Sequence, residues 1–229
     1  MSFELTLEEM NQVFDTLRQR YRIYAPKRLK NAGRYCNTDL IRYQEIRSME
    51  EIEWKDRSDY SPKEVFYPIN QTLFHFTEHY FLESQVFEKD LLIFARSCDI
   101  NGIKRLDKVF LENGPHEDPY YKRMREKVHF ILMECPDNGW ESCACCSLGT
   151  NETEDYDLAV RPLHEEGRVQ VFCKSELFTS FFDSFAPTQY TPEFVKENKT
   201  VIRVPEIRED MVDSIRELDM WKDYQSRCI

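Results

Sequence analysis

Leu91-Leu92-Ile93-Phe94-Ala95-Arg96-Ser97-Cys98 and Val128-His129-Phe130-Ile131-Leu132-Met133-Glu134-Cys135 are the two stretches whose reading decides the fold. Each is a short, mainly apolar run that ends in charge and then a cysteine. Such runs mark strands buried on both faces. Between them, Ile103, Leu106, Val109 and Phe110 recur at helical spacing, and Asn113-Gly114-Pro115 stops that helix. A second helix is expected around residues 120–127. The result is a strand–helix–strand unit, whose two strands are expected to be parallel. Cys98 and Cys135 then fall at one carboxyl edge, where open α/β sheets place their ligands. The expected fold class is α/β, a mixed sheet with its binding loop at that edge.

Outward from this unit the pattern is less regular. Thr6 and Glu9 form a capping box, and Leu7, Met10, Val13, Phe14, Leu17 and Tyr21 follow at helical spacing. Pro26 is expected to end that region. Residues 34–90 read as short strands and turns, with turn signals at Asn37-Thr38-Asp39 and Ser58-Asp59-Tyr60-Ser61-Pro62. Residues 168–172 read as a strand. Phe178, Phe181, Phe182 and Phe185 fall on one helical face, expected to be core rather than a cofactor platform. Thr191-Pro192 is expected to open a short helix, and Met211, Val212, Ile215 and Leu218 to mark a last amphipathic one. The chain is expected to form a single domain over residues 1–229, with residues 190–229 as a C-terminal helical segment.

The chain has 229 residues and a formal net charge of −11. That balance argues against a nucleic-acid partner, which needs a basic footprint. The longest apolar run is far too short to span a bilayer. Met1-Ser2-Phe3-Glu4 lacks the basic and apolar pattern of a leader. A cytoplasmic protein is expected, in a compartment that keeps thiols reduced. Eight cysteines there point to metal or redox chemistry before disulfides.

After Cys135, a short loop returns to Cys143-Ala144-Cys145-Cys146. Thiols from two strand ends and one loop can therefore converge without strain. Four thiolates are the ligand set of a 4Fe-4S cluster. The helix after Cys98 would aim free N–H groups at the site. Arg96, Lys104 and Arg105 would add positive charge, and Gly139 and Gly149 would permit tight turns. The spacing matches neither the ferredoxin run nor a pair of zinc knuckles. An iron–sulfur site, a structural zinc site and unliganded thiols therefore all stand on spacing alone. Buried packing would explain Cys98 and Cys135, but explains three cysteines within four positions poorly. Cys36 and Cys173 read as ordinary buried or half-buried thiols.

Other candidates are weaker. His75 and His79 stand four apart and could share a helix face, but the intervening residues lack the metalloprotease Glu. His116, His129 and His164 show no partner pattern. The acidic residues 151–157 read as a solvated loop. No nucleophile elbow or Ser-His-Asp order emerges, so no catalytic residue is expected.

The run Phe94-Ala95-Arg96-Ser97-Cys98-Asp99-Ile100-Asn101 with Arg105-Leu106-Asp107 resembles the iron–sulfur electron-transfer subunit of anaerobic sulfite reductase. So do residues 120–125 and Cys143-Ala144-Cys145-Cys146-Ser147-Leu148-Gly149-Thr150-Asn151. Tyr24-Ala25-Pro26, Ser61-Pro62-Lys63 and Tyr190-Thr191-Pro192-Glu193-Phe194-Val195 extend the resemblance over essentially the whole chain. The related beta subunits of sulfhydrogenases look similar mainly in the middle. The resemblance implies a non-catalytic subunit holding one 4Fe-4S cluster. It would relay electrons from a flavin-containing subunit that uses a nicotinamide cofactor to a sirohaem-containing subunit that reduces sulfite to sulfide. A family cysteine matches each of Cys98, Cys135, Cys143 and Cys145. Cys146 falls where the family has another residue type. The family continues into a ferredoxin-like domain with two further clusters. This chain ends at Ser226-Arg227-Cys228-Ile229, with Cys228 where that domain's first ligand would stand. The alternative carried beside this reading is a zinc-stabilised or metal-free assembly domain that docks the flavin subunit.

Overall fold

The computed structural model describes residues 1–229 except 69, 85–87, 164–165, 204–205, 207, 209 and 224–229. Cys228 and His164 lie outside the described residues. The strands are β1 (Ser2–Thr6), β2 (Tyr21–Leu29), β3 (Leu40–Glu45), β4 (Phe74–Thr77), β5 (Tyr80–Glu83), β6 (Asp90–Ala95), β7 (Val128–Met133), β8 (Leu158–Leu163), β9 (Arg168–Cys173) and β10 (Pro187–Thr188). The α-helices are α1 (Leu7–Leu17), α2 (Ser97–Phe110), α3 (Pro119–Arg125) and α4 (Met211–Arg216). Among the described residues, eight strands form one sheet in the order β10-β1-β9-β8-β7-β6-β2-β3, and β4 and β5 form a separate hairpin. The centre β2-β6-β7-β8 is parallel, and the pairs outside it are antiparallel, so the sheet is mixed as expected.

The strand–helix–strand unit forms as its sequence dictates. Leu91 pairs with Val128 and Ala95 with Leu132 in parallel register. Alternate side chains leave opposite faces of the pleat. Leu92 and Phe94 enter a core with Met10, Phe14, Leu17 and Phe178. Leu91, Ile93 and Ala95 enter a second core with Ile100, Ile103, Tyr121 and Met124. Both faces of β6 are thus covered, which is why its residues 91–95 read as one apolar run without alternation.

Local chemistry sets the helix starts. The Thr6 hydroxyl accepts the Glu9 N–H at 3.2 Å, and the Glu9 carboxylate accepts the Thr6 N–H at 2.7 Å. This reciprocal cap begins α1 at the expected place. The Asp118 carboxylate accepts N–H bonds from Tyr120 and Tyr121 and begins α3.

Several expectations are corrected. Tyr21 does not continue α1 but opens β2, and Pro26 lies inside β2 opposite Tyr43. Proline is tolerated there because β2 pairs with β6 only as far as Tyr24, leaving no ladder bond on that side to lose. His75 lies in β4 and His79 in the hairpin turn, both exposed, so they share no helix face. The phenylalanine stripe forms a 3-10 segment (Glu176–Phe181) rather than an α-helix. Phe178 and Phe182 are fully buried, so the stripe is core. Residues 191–196 form no helix. Among the described residues of the C-terminal segment the α-helix is the short α4, whose Ile215 is exposed. Cys36 is exposed, whereas Cys173 is buried. Strands β1 and β8 carry no expectation from sequence, yet both are integral to the sheet. Among the described residues, no helix is long and apolar enough to cross a membrane.

Phe94 is wholly buried and packs edge-on against Phe14 and Trp54, with ring centroids 6.0 and 5.9 Å away. Phe94→Ala is expected to cost about 3–5 kcal/mol in denaturant unfolding. A loss below about 1 kcal/mol would show that this layer is not the core.

Candidate functional site

The parallel register brings the ends of β6 and β7 side by side, and the chain turns sharply after each. Arg96 is the residue before α2, so Cys98 sits in the first turn of that helix rather than at the strand's end. Cys135 precedes a tight turn (Pro136–Asn138). Asp137, Asn138 and Gly139 follow one another at φ of +41°, +60° and +83°. Left-handed backbone at two non-glycine residues is uncommon and concentrates at functional loops. The turn lays the loop back over the sheet edge.

There Cys98, Cys135, Cys143 and Cys145 line one pocket of about 460 Å³, together with Arg96 and Trp140. The four expected residues therefore come together in space. Cys146 is not part of this lining. Its thiol donates to the Val195 carbonyl at 3.4 Å, so the backbone beyond the pocket engages it.

Polar contacts hold the loop. Trp140 donates its backbone N–H to the Cys143 sulfur at 3.3 Å and its indole N–H to the Lys55 carbonyl at 3.2 Å. The Asn198 side-chain amide donates to the Cys145 sulfur at 3.2 Å. Arg57 donates to the Ser142 hydroxyl at 3.0 Å. Asn101, on α2, donates to the carbonyls of Thr150 and Glu152 at 3.1 and 2.7 Å. A methyl group at Gly139 would stand 3.1 Å from the Cys143 sulfur, so this close approach requires glycine as well as the turn does.

Arg96 is the buried cation of the site. Its guanidinium donates to the carbonyls of Glu134 at 2.5 Å and Trp54 at 2.9 Å, and lies 4.8 Å above the Trp140 ring. It ties the ends of β6 and β7 to the loop. Arg105 also lines the pocket, but Lys104, expected to join it, instead pairs with Asp155 at 2.7 Å.

The electrostatics describe two thiols, Cys98 and Cys135, that resist ionisation on their own. Cys98 opens onto the pocket, yet the protein mass around it still desolvates the thiol. That burial, with smaller contributions from Asp99, Cys135, Cys145 and Cys143, pushes its pKa up to about 12. Burial also raises Cys135, opposed by the Arg96 charge. A cationic centre among these sulfurs would reverse the balance, since coordinating thiols are deprotonated outright.

The donor set suits a thiolate-ligated group, since four cysteines line one pocket. Among the described residues, no three His, Cys, Asp or Glu side chains gather closely enough to hold one metal ion. A single zinc would need sulfurs at about 2.3 Å from a common centre. The thiols, the N–H groups aimed at two sulfurs and the buried Arg96 are what such a group requires from a protein.

This chain is similar to sulfhydrogenase 2 subunit beta of Pyrococcus furiosus. The two are 28% identical over 239 aligned residues, which cover 99% of this chain and 68% of that protein. The similarity is therefore not confined to the middle of the chain, as the motifs alone implied. No family model matches the chain, and no solved structure matches it.

Sequence reasoning missed Asn198, Trp140 and Arg57. They come from loops with no motif, and only folding brings them to the cysteines. Gly139→Ala is expected to destabilise the protein by about 1–3 kcal/mol. Gly102→Ala, where an added methyl meets nothing within 4 Å, is expected to stabilise α2 by up to about 1 kcal/mol. Thermal unfolding of the two variants checks the contrast. Equal effects would show that the turn does not constrain Gly139.

Proposed function

We propose that this chain is an iron–sulfur electron-transfer subunit of a cytoplasmic redox complex, with Cys98, Cys135, Cys143 and Cys145 holding one 4Fe-4S cluster. The observation that carries the reading is the convergence of these four thiols in one pocket at the carboxyl edge of the parallel strand pair β6–β7. The similarity to a sulfhydrogenase beta subunit along 99% of this chain supports it. When bound, such a cluster supplies one-electron transfer. The residues do the rest. The thiolates hold the group, Trp140 and Asn198 direct N–H groups at sulfurs, and buried Arg96 offsets negative charge. No residue here is assigned a catalytic role.

The finer reading follows the motif resemblance. The complex would be an anaerobic sulfite reductase, with this chain between a flavin-containing and a sirohaem-containing partner. A zinc-stabilised assembly domain is the competing reading.

Protein purified without oxygen is expected to contain about four irons and four acid-labile sulfides per chain, with a broad visible band that dithionite bleaches. Cys98→Ser is expected to lose most of the iron. One zinc and no iron would establish the assembly domain instead. Full iron in the Cys98→Ser protein would remove Cys98 from the ligand set.

A further inference from the structure

The motif Cys143-Ala144-Cys145-Cys146 presents two adjacent thiols for one ligand position, and spacing does not choose between them. The fold contains a residue placed to choose. Asn198 lies 53 positions from Cys145, on the segment that follows the sheet, and is only 6% exposed. Its carbonyl oxygen accepts the backbone N–H of Cys146 at 2.8 Å. That donor fixes the orientation of the amide, since an N–H can face only the oxygen. The amide N–H group is thereby aimed at the Cys145 sulfur, 3.2 Å away. Nearby, Val195 offers one carbonyl to both the Cys146 thiol at 3.4 Å and the Asn151 amide at 2.9 Å. Cys146 is engaged by this segment, while Cys145 lines the pocket.

We propose that Asn198 is a positioning residue that selects Cys145 over Cys146 as the ligand and tunes the site through an N–H bond to the Cys145 sulfur. The inference rests on the cluster reading above. A hydrogen bond to a ligand sulfur stabilises the more negative, reduced state of the site more than the oxidised one. Asn198 therefore raises the potential at which the site accepts an electron. The electron comes from a reduced flavin partner, or from dithionite in the test, and no bond is formed or broken at Asn198. Replacing the amide by a carboxylate keeps the acceptor for Cys146 but turns an oxygen towards the sulfur, so a donor becomes a repelling charge.

The test uses the full chain, prepared without oxygen, as wild type, Asn198→Ala, Asn198→Asp and Cys146→Ser. Midpoint potentials are read by titration with dithionite, followed by electron paramagnetic resonance, beside the iron content. Asn198→Asp, which preserves shape, is expected to make reduction about tenfold less favourable, which is 59 mV for a one-electron couple. Asn198→Ala should shift the same way by less, and Cys146→Ser should keep both its iron and its potential. Unchanged potentials in both Asn198 variants would overturn the inference, as would loss of iron in Cys146→Ser, and either would leave an iron-bearing wild type and the cluster reading intact. A wild type without iron would overturn the cluster reading, and this inference with it.

Discussion

The parallel pairing of β6 with β7 is the constraint on which the other features depend. Its register sets Ala95 beside Leu132. Both chains therefore leave the sheet together, and both place a cysteine within three residues of the exit. An antiparallel pairing would send the two thiols to opposite edges. The register is itself held by burial on both faces. Each strand contributes alternate side chains to two separate cores, so a slip of one residue would exchange both sets at once. The position of the thiols is thus backed by the hydrophobic energy of the whole sheet.

The loop that completes the site is held differently. It contributes little to either core and depends on polar contacts to distant segments: Trp140 to Lys55, Arg57 to Ser142, and Asn198 to Cys145 and the backbone of Cys146. Arg96 joins the two regimes. Its backbone follows β6 and its guanidinium spans carbonyls of Glu134 and Trp54 beneath Trp140. A buried cation is costly unless its donors find acceptors, and here carbonyls and an aromatic face receive it. Its charge also opposes the cost of ionising Cys135. The same residue therefore serves both the architecture and the electrostatics of the site.

Legibility in the sequence followed the range of the forces involved. The α1 cap, the β6 and β7 runs and the helices between them were readable because capping and periodicity act over a few residues. Expectations failed where distant pairing overrode local pattern. Pro26 reads as a stop, yet its missing N–H is harmless where β2 no longer pairs with β6. His75 and His79 match helical spacing, yet cross-strand pairing between β4 and β5 separates them. Thr191-Pro192 has the form of a helix start, yet the chain there binds the core instead. The neighbouring Tyr190 hydroxyl donates to the Glu134 carboxylate at 2.8 Å, as does the Glu193 N–H at 2.9 Å.

The sequence by itself determined the mixed α/β class and the parallel unit at its centre, and it pointed to Cys98, Cys135 and the cysteines within residues 143–146 as thiols of one site. Local periodicity and strand-end placement carry that much information, because two buried parallel strands admit essentially one arrangement of their ends. Only the tertiary structure decided that Cys145 faces the pocket while Cys146 binds the Val195 carbonyl. It also decided that Asn198, Trp140 and Arg57 support the loop. Those choices rest on hydrogen bonds between segments roughly 50 to 85 residues apart. A directional contact over such a separation leaves no periodic trace in a chain, and exists only once the sheet has set both partners in place.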